Sequence, residues 1–192
     1  KFLPELGNLK VATKTDSITD GLVPATRAPN MNEVMTHTAG FGYGLSASNA
    51  VDKEFQRDNP HAQPNLQAAM NRLKDIPLLF QPGERWSYSY TVDVQAAALE
   101  KITGKTLGNY LYENVFTPLG MNDTSFFVTD ATKPRFTDVY HWDKDKKALV
   151  VNPNRPDRPG FDDPNRLESG GGGLVSSTHD YARFAQMFLG KG

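Results

Sequence analysis

The chain has 192 residues, the size of one domain or a large part of one, and a hydrophobic share of 38 % that is enough to build a core. Its 21 basic and 22 acidic residues give a formal net charge of -1 with no dense basic run, so nucleic-acid binding has no electrostatic footing. Cysteine is absent, which removes disulfides, thiolate nucleophiles and Cys-based metal sites, and no apolar run approaches the roughly 18–20 residues that span a bilayer.

The first segment, KFLPELGNLKVATKTDSITDGLVPATRAP, is punctuated by Pro and Gly and reads as turns with a short extended piece. Nothing in it resembles a basic leader followed by an apolar centre, so it assigns no compartment, cytoplasmic or periplasmic. Asn30 starts a helix: Glu33 stands in capping-box register, and Met31, Val34 and Met35 form its expected apolar face. The glycines of THTAGFGYG break it. Residues 64–76, PNLQAAMNRLKDI, predict a second helix through Leu66, Ala69, Met70 and Leu73. Pro77 ends it.

After the turn QPGERW comes VDVQAAALEKITG, a helix with Val92, Ala96 and Leu99 as its stripe, Ala98 and Ile102 flanking, and Gly104 at the C′ position. Thr106 caps the next, LGNYLYENVF, which is expected to stop ahead of Pro118. The strong strand signal is a hairpin near 135–153, RFTDVYHWD and ALVVNP around the tip KDKK. A loop, NPNRPDRPGFDDPNR, follows. The last helix, SSTHDYARFAQMFLG, is capped by Ser177 and expected to bury Tyr181, Phe184, Ala185, Phe188 and Leu189. The sum is a mainly α body with one small hairpin, too little sheet for its helices to cover. Some apolar faces therefore await a partner.

Few residues are placed for chemistry. His37, His61, His141 and His179 show no metal-ligand spacing and read as structural or surface residues; no metal site is expected. The nucleophile-elbow pattern G-x-S-x-G is absent. GGGG at 170–173 has backbone N–H groups that an oxyanion could use, but it reads rather as a flexible or tightly packed turn before the last helix. Tyr88, between a Pro-Gly turn and a helix, is the remaining candidate. A free phenol titrates near 10 and is a poor base at neutral pH unless a cation stabilises the phenolate. On the residues alone, Tyr88 reads as an aromatic wedged between turn and helix rather than as a proton relay.

Four segments, KFLPEL, MNEVMTHTAGFGYG, PGERWSYSYTVDVQAAALEKITGKTLGNYLYENVFTPLGMNDTSF and GGGGLVSSTHDYARFAQMFLGKG, occur in the order found in the serine β-lactamase-like superfamily, which the chain resembles. That group holds class C β-lactamases, DD-peptidases and family VIII carboxylesterases. Trp86, Tyr88, Ser89, Asp93 and Val94 look like the family VIII version, W-x-Y-S-x-x-x-D-V. Tyr90 stands where lactamases and DD-peptidases carry the Asn of Tyr-x-Asn, which argues against efficient lactam turnover.

The resemblance implies a helical subdomain of the α+β β-lactamase/DD-peptidase fold, residues 1–192 forming one partial domain. It implies catalysis by Tyr88, substrate binding at Ser89 and Tyr90, and a supporting role for Asp93 at the helix start. The reaction implied is cleavage of a small-molecule carboxylic ester through an acyl-enzyme, without cofactor or metal. No Ser or Thr here has Lys three residues on, and K-T-G, H-x-G and W-x-G are absent. The expectation is a central fragment whose Ser and Lys lie in missing flanking segments, inactive by itself. The alternatives are a β-lactamase or DD-peptidase, and a non-catalytic binding module on the same fold.

Overall fold

Short polar side chains start the helices. Asn30, Asn49, Asn65 and Ser177 each accept the backbone N–H three residues on, of Glu33, Asp52, Ala68 and Asp180 respectively. The structure is a computed structural model that describes residues 1–151 and 160–192. The chain forms two compact units, Lys1–Tyr110 with Leu167–Gly173, and Leu111–Arg166 with Leu174–Gly192. The described residues are mainly helical, with two small two-stranded sheets.

In the first unit, β1 (Lys10–Ala12) pairs antiparallel with β2 (Leu22–Pro24), and Leu78 joins β1 by a parallel bridge at Val11. Around this lie α1 (Met31–Met35), α2 (Ala50–Arg57), α3 (Leu66–Leu73) and α4 (Thr91–Thr103). Leu66, Met70 and Leu73 of α3 are buried, as are Val94, Ala97 and Ala98 of α4.

Two expected faces need correction. Of the expected apolar face of α1 Val34 alone is buried, beside Glu33, while Met31 and Met35 are exposed. On α4 the buried set is Val94, Ala96, Ala97 and Ala98, and Ile102 is exposed. Its small residues let other backbone come close: a Cβ on Gly170 would lie 2.7 Å from the Val92 carbonyl oxygen and 2.8 Å from Ala96 Cβ. Gly170 and Gly171 are thus packed against α4, whereas Gly172 is open. The short extended piece expected in the first segment is the β1–β2 pair, and helix α2 is a further element.

The second unit holds most of a helix that the sequence ended too early. α5 (Leu107–Leu111), capped by Thr106 as expected, continues through a π turn over Tyr112–Phe116 into α6 (Thr117–Leu119). The helix thus runs on past the expected stop, through Pro118 to Leu119. β3 (Tyr140–Asp143) and β4 (Ala148–Val151) form the expected hairpin in register Tyr140↔Val151 to Asp143↔Ala148. Residues 152–159, which include the hairpin's last two expected positions and half of the loop beyond, lie outside the described residues.

Helix α7 (Thr178–Leu189) corrects a third face. Tyr181, Phe188 and Leu189 are 67 %, 65 % and 85 % exposed. The buried residue is Asp180, which accepts the Asp123 N–H (2.7 Å) and the Thr124 hydroxyl (2.9 Å). Apolar periodicity marks a face for burial without supplying what covers it.

Candidate active site

The site begins where α1 ends. Thr36 caps the helix, and His37 follows with φ +57°, a left-handed conformation that is uncommon outside Gly but more accessible to Asn, Asp and His than to other side chains. The His37 carbonyl accepts the Ser87 N–H at 2.9 Å, and its Nδ1 accepts the Ser89 N–H at 3.2 Å. The Thr91 hydroxyl lies 2.8 Å from the same nitrogen, and Ser89 Oγ 3.3 Å. A backbone amide only donates, so Nδ1 is an acceptor and the proton of the neutral ring belongs on Nε2.

Tyr88 stands between these two anchored neighbours. Its ring stacks on His37, centroids 4.8 Å apart and planes at 27°, and meets Tyr43 edge-on at 5.3 Å. It is 45 % exposed, whereas Ser89 and Tyr90 are 1 % and 0 % exposed. Tyr90 donates its N–H to the Gly42 carbonyl (3.1 Å) and packs its ring against Phe55 and His61. Asp93 is fully buried; a Cβ on Gly171 would fall 2.9 Å from its Oδ2. The expected site residues are thus contiguous but face different ways, Tyr88 outward and Ser89 and Tyr90 inward.

The preceding turn is tied back to α1. Glu33 accepts the Asn30 N–H (2.9 Å) and pairs with Arg27, whose Nη2 donates to the Pro82 carbonyl (3.1 Å). Gly83 adopts φ +89° there, and a Cβ on it would lie 2.8 Å from Glu33 Oε1. The Arg27 hydrogen bond, opposed by burial and helped by the Asn30 amide and the Arg27 charge, holds the Glu33 carboxyl below the usual glutamate range.

His37 makes contacts that spacing in the sequence does not reveal. Its place in the Gly-rich break of MNEVMTHTAGFGYG was visible, but its contacts lie about fifty positions along the chain. Among the described residues, no cluster of three or more His, Asp and Glu could hold a metal ion, and no helix is long and apolar enough to cross a membrane.

The chain belongs to the β-lactamase family, whose model matches residues 7–192. It is similar to Protein Rv1367c of Mycobacterium tuberculosis, 32 % identical over 194 residues, a match covering 100 % of this chain and 46 % of that protein. Esterase EstB of Burkholderia gladioli is 29 % identical over 181 residues, covering 86 % of this chain and 45 % of its own. Among solved structures, EstCE1, a hydrolase with promiscuous acyltransferase activity, superposes with a TM-score of 0.71 over 97 % of this chain and 49 % of its own, at 24 % identity. The chain spans about half the length of the curated relatives it matches.

Proposed function

We propose that residues 1–192 are the central part of a family VIII-like serine esterase. In it, an S-x-x-K serine and lysine from segments outside this sequence meet Tyr88, and a small-molecule ester is cleaved through an acyl-enzyme. Tyr88, the general base, takes the proton of the serine hydroxyl as Oγ attacks the ester carbonyl, then gives it to the departing alkoxide. Water repeats the cycle and frees the acid. The lysine ammonium supplies the cation that a phenol needs for this work. By itself the 192-residue chain would be inactive.

One observation carries this reading: Tyr88 presents its phenol at the surface while both its neighbours are anchored and the next two side chains are buried. A wedge that only filled space would be turned inward like Tyr90. Ser89 and Tyr90 then serve the substrate site from beneath, by setting the path of the loop. Tyr90, at the position of the lactamase Asn, points into the core and leaves no side-chain amide for a β-lactam or peptide. That favours esters, as does the similarity to Esterase EstB.

The test uses the full-length protein. Tyr88→Phe is expected to lower kcat for p-nitrophenyl butyrate by about 100-fold or more, with the thermal midpoint unchanged. Nitrocefin should be turned over far more slowly than the ester. Near-normal ester turnover by Tyr88→Phe would sink the proton-relay role. Nitrocefin as the better substrate would reverse the choice of chemistry.

A further inference from the structure

Ser87 and Ser89, on either side of Tyr88, are both held by His37, one through its carbonyl oxygen and the other through Nδ1. We propose that His37 is the positioning residue for the Tyr88 phenol, an inference that rests on the catalytic reading of Tyr88. The imidazole gives the phenol a flat wall on one face, and the two amide hydrogen bonds fix the backbone from which the phenol projects. Thr91, at the first turn of α4, donates to Nδ1 as well, so the tyrosine loop and the start of that helix share one anchor.

The backbone of His37 supports a role beyond filling space. Its φ of +57° is left-handed, uncommon for a non-glycine residue, although His, like Asn and Asp, takes it more readily than most. The other described non-glycine residues with positive φ are Lys147, at the hairpin tip, and Lys191, next to the last residue, both exposed. His37 instead takes this conformation where its ring reaches Tyr88, Ser89 and Thr91 at once. That convergence of contacts is what marks the side chain as held in place. Neither an aliphatic nor a primary amine could replace it, since the first accepts no hydrogen bond and the second, as ammonium, only donates.

Misplacing a reacting group by about 1 Å costs on the order of 100-fold in rate. His37→Ala in the full-length protein is therefore expected to lower kcat for p-nitrophenyl butyrate about 10- to 100-fold, with KM within about threefold. His37→Asn keeps an acceptor at the δ position and tolerates the left-handed backbone, so it should recover most of that loss. In a Tyr88→Phe background His37→Ala should remove little more, because groups acting as a unit are not additive.

The outcomes separate the two readings. Near-normal turnover by Tyr88→Phe overturns the catalytic reading itself. A crippled Tyr88→Phe beside an active His37→Ala, or losses that multiply in the double variant, overturns the positioning role alone. So does a folded His37→Asn as impaired as the alanine variant. Should His37→Ala not fold, ¹⁵N NMR of the wild-type imidazole decides: the Nε2–H tautomer is expected, and an Nδ1–H tautomer overturns the inference.

Discussion

Glu33 closes the capping box of α1 with one carboxylate oxygen and, through Arg27, fixes the Pro82 carbonyl at the turn that leads to Tyr88. Glu33→Ala removes the return half of the box and leaves Arg27 without its acid. The expected cost is about 1–2 kcal/mol of stability, read from the urea midpoint of the full-length protein. Glu33→Gln, which keeps an acceptor oxygen for the Asn30 amide, should lose less. No loss for the alanine variant would show that the Arg27 link carries nothing. The cap itself was legible, since Asn30 and Glu33 are three residues apart and a helix start is a local code. Arg27 was not, because its bond to Pro82 spans 55 positions and no spacing rule reaches that far. The same limit hides the contacts of His37 with Ser89 and Thr91, which lie 52 and 54 positions away.

At the scale of elements, α4 and the GGGG run form one packed feature. Gly170→Ala drives a methyl into the Val92 carbonyl oxygen and Ala96 Cβ, and overpacking of this kind costs about 1–3 kcal/mol. Gly172 is the internal control, because no described atom lies within 4 Å of the Cβ position. Gly172→Ala should be neutral, or stabilising by about 0.5 kcal/mol through the unfolded chain. Equal midpoints for the two variants in thermal unfolding would return GGGG to a loose turn. Helices α3, α4 and α7 were readable because each has a cap or a C-terminal Gly and at least two turns of apolar repeat. α2 was passed over although Asn49 and Asp52 mark its start, since Val51 and Phe55 are its sole buried apolar side chains. The exposed face of α7 shows the opposite failure: its periodicity was read correctly and its burial was not.

At the scale of the whole molecule, acid should loosen both units, because arginine partners hold carboxyls in each below their ordinary range. Hydrogen bonds from Arg27 to Glu33, Arg57 to Glu54 and Arg135 to Asp123 are the largest cause in each case, with burial opposing. Since these groups bind protons less readily folded than unfolded, their stabilisation is complete above the unfolded-state values and is lost as pH falls through the folded ones. Arg27, Arg57 and Arg135 are all exposed, so the three pairs are screened and should weaken with salt. Glu100 runs the other way. Burial first, then the Glu168 charge, push its carboxyl up, against the Leu107 N–H and the Lys101 charge. Its contribution is full below the unfolded value and disappears as pH rises through the folded one. The protein should therefore lose urea resistance between about pH 6 and about pH 3, with Glu100 blunting the fall. Glu100→Gln keeps an acceptor for Leu107 and removes the charge. It should raise the midpoint at neutral pH, leave it unchanged at the acid end, and so steepen the drop between them. A drop as shallow as wild type would mean that the Glu100 charge costs the folded state nothing.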